Sequence, residues 1–214
     1  MNLNARPRGQ VSSALSPGTT TLALSNGRTA LLHVPPGPVA GLVVGLHGAG
    51  GQSVGALTLL QAHADRVGLV VLAPSSAGST WAGLFGGADP DTPAIDTALQ
   101  EVFALHPFDP ARVAVAGFSD GASYALSLGL TNGELLRRVV AFSPGFHNAR
   151  DPSGRPAFFL THGTRDQVLP IDRTSRRIVP ALRRAGYDVA YHEFDDGHTV
   201  PLRYGAEAAD WLLR

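Results

Sequence analysis

Two serines of this 214-residue chain stand in the pattern Gly-x-Ser-x-Gly, at Gly117-Phe118-Ser119-Asp120-Gly121 and at Gly51-Gln52-Ser53-Val54-Gly55. A serine hydroxyl is a weak nucleophile until a base takes its proton, and the base needs an acid to fix its tautomer and stabilise its charge. The chemistry such a group performs is acyl transfer. With 25 glycines in the chain the pattern alone is cheap, so its setting decides. Ser119 follows the apolar run Val113 to Ala116 directly and opens an apolar-periodic helix, the strand–turn–helix arrangement that lifts a hydroxyl above a sheet edge. Ser53 is separated from its strand by glycine-rich loop and reads as the N-cap of the next helix. Ser119 is therefore the expected nucleophile and Ser53 a structural residue.

An acid and then a histidine should follow such a serine along the chain. Of the eight histidines, the last, His198 in Asp196-Gly197-His198-Thr199-Val200-Pro201, lies in a turn between a final strand and a final helix, where the base belongs. His47 and His162 sit in His-Gly pairs at strand ends and are set aside. The acid is read as Asp166, just after the strand Phe158 to Leu160. Asp195 and Asp196 compete but lie too near His198 in sequence to reach its ring easily, and Asp172 reads as the cap of the following helix. Acyl transfer also needs amides aimed at the oxygen that becomes negative. One is expected from Asp120, the other from Ala49, or Gly50 beside it, in the turn His47-Gly48-Ala49-Gly50-Gly51. Trp81, Phe118 and Phe146 are candidates for lining a substrate site.

The elements that must position these residues are legible as alternation. Thr20 to Leu24 and Arg28 to Val34 flank Asn26-Gly27 and predict an antiparallel hairpin at a sheet edge. Continuous apolar runs at Leu42 to Leu46, Leu69 to Ala73, Val113 to Ala116, Val139 to Phe142, Ala157 to Leu160 and Val189 to Phe194 suit strands buried on both faces. Helical patterns lie between them at Ser53 to Val67, Ala94 to His106, Ser119 to Leu130, Ile171 to Ala185 and Val200 to Leu213, with Pro180 expected to kink or end the fourth. Strands alternating with helices imply an α/β fold: a mostly parallel central sheet with helices on both faces and an antiparallel N-terminal hairpin. The loop Ser75 to Gly87 is long enough to suggest a functional role.

Composition narrows the chemistry. Seventeen basic and seventeen acidic side chains cancel, which gives no general field for nucleic acid or an acidic membrane surface. There is no cysteine and no lysine, so disulfides, thiolate nucleophiles, Schiff-base chemistry and a lysine-bearing phosphate loop are excluded. No apolar run approaches the ~20 residues of a membrane span, and no secretory pattern opens the chain. The reading is a soluble cytoplasmic protein without stable membrane insertion, with a loosely ordered segment at 1–17 and one catalytic domain at 18–214. Its oligomeric state is open, a homodimer included. The histidines lack the paired spacing of a helix-borne metal site, so no metal is expected.

The segments LHGAGG, GFSDG, THGTRDQVLP and DDGHTVP, in this order over roughly residues 40 to 214, resemble the signature blocks of small bacterial carboxylesterases related to acyl-protein thioesterases and lysophospholipases. They are also similar to polyhydroxybutyrate depolymerase and feruloyl-type esterase domains. The resemblance implies the α/β-hydrolase fold and a cofactor-independent serine esterase. It would cleave small-molecule esters of short to medium acyl chains through an acyl-enzyme, with Ser119, Asp166 and His198 as its triad. A thioesterase or lysophospholipase of the same fold is the nearest alternative, a peptidase or non-catalytic binding protein a more distant one. Asp120 departs from the Gln usual in the thioesterase branch. Only Ser143 to Pro156 lies where relatives insert a helical cap, so no sizeable cap domain and an open site are expected.

Overall fold

The computed structural model describes residues 1–9 and 15–214. Its centre is one eight-stranded sheet. β1 (Gly18–Ala23) and β2 (Thr29–Val34) form the expected hairpin, joined by a turn in which Gly27 takes φ +80°. β2 runs antiparallel to β4 (Leu69–Pro74). From there β4, β3 (Gly41–Leu46), β5 (Val113–Phe118), β6 (Arg138–Phe142), β7 (Ala157–Gly163) and β8 (Val189–Phe194) lie side by side and parallel. No cap stands between β6 and β7.

The continuous apolar runs divide by the two-residue period of a strand. Leu42, Val44, Val70, Leu72, Val113, Val115, Val139 and Leu160 enter one core with residues of α2 (Asp91–Leu105), α3 (Asp120–Thr131) and α4 (Ser175–Arg184). Val43, Val71, Ala114, Ala116, Val140 and Phe159 enter the other with α1 (Ser53–Val67) and α5 (Leu202–Trp211). Each fully buried Val, Leu or Phe contributes about 1.5–3 kcal/mol against the entropy of ordering it. Two covered faces therefore give a rigid sheet, with every parallel strand ending at one edge.

Over residues 1–9 the chain lies against the core: Leu3 and Ala5 are buried, the Leu3 amide donates to Asn132 Oδ1 at 2.8 Å, and the Asn4 and Ala5 amides donate to Asp96 Oδ1 at 2.6 and 2.7 Å, while two helix expectations are corrected. Two apolar side chains on a short extended segment thus find a core position and polar partners, while residues 10–14 lie outside the described residues. Pro180 does not end its helix, since α4 continues to Arg184. The break comes earlier, at Thr174, whose φ −125° and ψ −103° separate a short turn at Ile171–Arg173 from α4. Finally, α2 begins at Asp91 because Pro93 is tolerated in a first turn and Asp89 Oδ1 accepts the amides of Asp91 and Thr92, each at 3.2 Å.

Candidate active site

Ser119 sits between β5 and α3 with φ +57° and ψ −121°, a conformation a non-glycine residue holds only when its surroundings force it. The forcing is steric. A Cβ on Gly117 would overlap the backbone of Gly121, and one on Gly121 would overlap the carbonyls of Leu46 and His47. The elbow, the head of α3 and the end of β3 are thus packed backbone to backbone, and both glycines of the pattern are needed for that approach. The Ser119 amide donates to Phe142 O on β6 at 3.0 Å, leaving the side chain half-exposed at the sheet edge. Ser53 is built differently. It is the first residue of α1 rather than its cap, and its buried hydroxyl is 2.6 Å from Ser75 Oγ.

Asp166 and His198, from the loops after β7 and β8, meet at the same edge: His198 Nδ1 donates to Asp166 Oδ2 at 2.6 Å. The two loops are zipped by backbone bonds from Thr164 N to Phe194 O at 2.8 Å and from Arg165 N to Asp196 O at 2.9 Å. A Cβ on Gly163 would overlap the carbonyls of Asp196 and Gly197, so that glycine permits the contact. Asp166 is buried, which on its own would raise its pKa. The Leu169 amide at 2.8 Å, the His198 ring and the Val168 amide at 2.9 Å outweigh burial and hold the carboxyl below its ordinary value. The rival acids are elsewhere occupied: Asp195 and Asp172 are exposed and pair with Arg165 and Arg176, and Asp196 Oδ1 accepts the Gly197 amide.

The Phe118 ring lies 4.7 Å from the His198 ring, which brings that imidazole beside the elbow. Among the described residues neither the Ser119 hydroxyl nor His198 Nε2 makes a hydrogen bond, so His198 has one nitrogen pinned and one free. Beside them opens a hollow of about 480 Å³, whose lining includes the apolar Leu46, Ala56, Leu59, Phe118 and Val200 together with Ala49 and His198.

The turn after β3 separates the two amide candidates. Gly50, at φ +70°, spends its amide on Ser79 O at 2.6 Å, and Gly51 donates to Gly48 O at 3.0 Å. Gly50 is thus removed as an oxyanion donor, because its N–H is already directed into the neighbouring loop. Ala49 and Asp120 keep amides that close no turn. Of the three aromatic candidates, Trp81 is corrected: it is fully buried, donates Nε1 to His47 O at 2.8 Å and stacks on Tyr124. An indole whose only polar atom is satisfied inside the core lines nothing. Phe118 lines the hollow, and Phe146 stands on the β6–β7 loop with its ring 6.0 Å from that of Phe85.

Residues 93–211, more than half of the chain and including Ser119, Asp166 and His198, match the family model described as phospholipase/carboxylesterase. The chain belongs to the phospholipase/carboxylesterase family. It is a carboxylic ester hydrolase of the α/β-hydrolase fold. A sequence search of curated proteins found no match. Among solved structures, this family member is similar to esterase PE8, with 24% identity, a TM-score of 0.69 and coverage of 92% of this chain and 98% of that one. It is similar to the S-formylglutathione hydrolase of Staphylococcus aureus at 16% identity and a TM-score of 0.70, covering 94% and 100%. The Bacillus cereus carboxylesterase aligns at 21% and 0.65, covering 86% and 92%. These likenesses concern the fold.

Two features of this carboxylesterase-family site escaped the sequence. His162, fully buried, places Nε2 2.8 Å from Leu169 O and 3.1 Å from Asp166 Oδ2, with Nδ1 2.7 Å from Ser175 Oγ. It is a second imidazole on the carboxylate that holds His198. Its place four residues before Asp166 was the available signal, passed over because the pair His-Gly occurs at two strand ends. The other feature is the set of bonds from the loop after β4, whose length alone suggested a role, to the turn after β3. Among the described residues no helix is long and apolar enough to cross a membrane.

Proposed function

We propose that this esterase hydrolyses carboxylic esters of short to medium acyl chain through an acyl-enzyme on Ser119, with His198 as general base and Asp166 as the acid that orients it. The reading is carried by the 2.6 Å bond from His198 Nδ1 to Asp166, beside a serine held at φ +57°. With Nδ1 committed, Nε2 is the nitrogen left to take the Ser119 proton. Such serine–base contacts are often loose in the absence of substrate and tighten in the reacting complex. As Oγ adds to the carbonyl carbon, the carbonyl electron pair moves onto oxygen, where the Ala49 and Asp120 amides receive it. The alcohol leaves with the proton from His198. Water then gives a proton to His198 as it attacks the acyl carbon, and the acyl–Oγ bond breaks as His198 returns that proton to Ser119, releasing the acid.

The hollow lined by Leu46, Ala56, Leu59, Phe118 and Val200 takes the apolar part of the ester, and its volume of about 480 Å³ suits a small to medium group. Phe146, on the β6–β7 loop, and Phe85, its exposed ring partner, are proposed as an aromatic rim of the site. The test is turnover of p-nitrophenyl esters from acetate to octanoate, with labelling by a fluorophosphonate. Hydrolysis that declines at long acyl length, and a label on Ser119 lost in Ser119→Ala, is the expected result. Turnover unaffected by that substitution overturns the reading.

A further inference from the structure

The arc from Ala77 to Ala82, in the loop between β4 and α2, has both ends fixed to one side chain. Asp91 is fully buried; its Oδ1 accepts the Ala77 amide at 2.7 Å, its Oδ2 accepts the Ala82 amide at 3.0 Å, and Arg28 lies 3.2 Å away. From this anchor the arc reaches both places where an oxyanion donor is expected. Toward the turn after β3, Ser79 O accepts the Gly50 amide at 2.6 Å and Trp81 Nε1 donates to His47 O, while Ser76, just before the arc, donates its amide to His47 Nε2 at 3.0 Å. Toward the elbow, Thr80 Oγ1 donates to Asp120 Oδ2 at 2.7 Å.

We infer that this arc is a strap that positions the oxyanion turn, with Thr80 as its latch on Asp120 and Asp91 as its anchor. The inference rests on the proposed roles of Ser119 and of the Ala49 and Asp120 amides. The turn 48–51 contains three glycines, is half-buried to exposed, and among the described residues has one bond of its own, from Gly51 N to Gly48 O at 3.0 Å, which leaves the direction of the Ala49 amide to contacts from outside the turn. Oxyanion donors act only within about 2.7–3.1 Å of the developing charge, and a turn free to drift loses that interaction. The strap removes the freedom by bonding the turn at Gly50 and His47 and bonding the elbow at Asp120. This gives the Asp120 side chain a task, beside that of its amide, which a residue without an acceptor there could not perform. Thr80 touches no reacting atom and is a positioning residue. Its loss falls on the transition state more than on substrate binding.

The test uses the full chain with Thr80→Val, which keeps shape and removes the donor, Thr80→Ser, which restores it, and Asp91→Asn. The readouts are kcat and KM for p-nitrophenyl butyrate, the inhibition constant of butylboronic acid as a tetrahedral mimic, and Tm. Thr80→Val is expected to lower kcat by about 10- to 100-fold with KM within about 2-fold. The boronate constant should rise by a comparable factor, Thr80→Ser should recover most of both, and Asp91→Asn should act in the same direction. Unchanged kcat in Thr80→Val, or a loss of kcat with boronate binding intact, overturns the inference. Failure of the underlying reading looks different: wild-type protein indifferent to the boronate, or Ser119→Ala still turning over.

Discussion

The side of the site that carries Asp166 and His198 and the side that carries Ala49 and Gly50 are held by different kinds of bond. After β7 and β8 the chain is fastened mainly to itself: Thr164 and Arg165 donate backbone amides to Phe194 and Asp196, and Gly163 lets the two loops touch. After β3 the turn is fastened to a neighbouring loop by one backbone bond, Gly50 to Ser79, and by bonds that each need a side chain, Ser76 to His47 and Trp81 to His47, while Thr80 ties the same loop to Asp120 of the elbow and Asp91 stands behind them. Backbone fastening survives most substitutions because every residue but proline supplies the same groups. Side-chain fastening is lost with one residue. The first side should therefore respond to changes in its reacting groups and the second to changes at a distance.

The largest effect expected is at the elbow. Ser119→Ala should lose about 10⁴- to 10⁶-fold in ester turnover with Tm nearly unchanged, since the strained turn does not depend on the hydroxyl. Ser53→Ala in the other copy of the motif should keep turnover within a few-fold and lose about 1 kcal/mol of stability with its bond to Ser75. Equal activity losses in the two would mean that the elbow is not the reacting turn. Next comes Asp166→Asn, expected to cost about 10²- to 10⁴-fold in kcat because an amide accepts poorly from Nδ1 and frees the ring to take the wrong tautomer. Asp195→Asn removes only an exposed pair with Arg165 and should leave kinetics unchanged. If Asp195→Asn were the damaging change, the acid would have been assigned to the wrong loop.

The same contrast explains what could be read without a structure. The sheet was legible because runs such as Val113 to Ala116 have one destination in a sheet covered on both faces. The elbow was legible because backbone-to-backbone packing demands glycine at 117 and 121, and glycine leaves a trace in the sequence. That Asp166 and His198 come together was legible from chain order and strand ends. The part the loop after β4 plays was not: Thr80 and Trp81 are ordinary residues whose partners Asp120 and His47 lie 40 and 34 positions away, and Asp91 joins Ala77 and Ala82, 14 and 9 positions back in its own loop, to Arg28, 63 positions away. Gly50 and Ala49 could not be separated for the same reason, since what occupies the Gly50 amide is the carbonyl of Ser79. Trp81 was mistaken for a pocket residue because an aromatic side chain in a polar loop looks alike whether it turns outward or inward.

Both sides contain a buried imidazole, and pH should address them together. Burial lowers the pKa of His47 and of His162 below the ordinary 6.5, more than the Gly48, Leu169, Asp91 and Asp166 oxygens raise them. His47 Nδ1 donates to Gly48 O while Nε2 accepts from Ser76, so a second proton must break the strap's contact. A histidine lowered on folding binds its proton more readily in the unfolded chain. The stability it allows is complete above 6.5 and falls as pH drops from there toward the folded value. Asp166, lowered from 3.8, contributes stability that persists above 3.8 and is lost only as pH falls through its lower folded value. Tm should therefore decline in two steps. His162→Gln should flatten the upper step, and Asp166→Asn should remove part of the lower one. A Tm constant from pH 7.5 to 5 would contradict the neutral, buried assignment of both imidazoles.

The smallest effect belongs to the rim, where neither fastening applies. Phe146 is 38% exposed and Phe85 67%, their rings 6.0 Å apart in a tilted pair, so little of the fold depends on them. An aromatic contact contributes about 0.5–1.5 kcal/mol beyond its buried area, which corresponds to about 2- to 10-fold in binding. Phe146→Ala should raise KM by that factor for esters bearing an aromatic or longer group and leave acetate esters alone. Phe118→Ala differs in kind: its ring lies against His198 and also lines the hollow, so kcat and KM should both suffer, for every ester. Should Phe146→Ala lower kcat for acetate as well, the β6–β7 loop would belong with the strap among the parts that position the reacting groups, and the rim would end at Phe85.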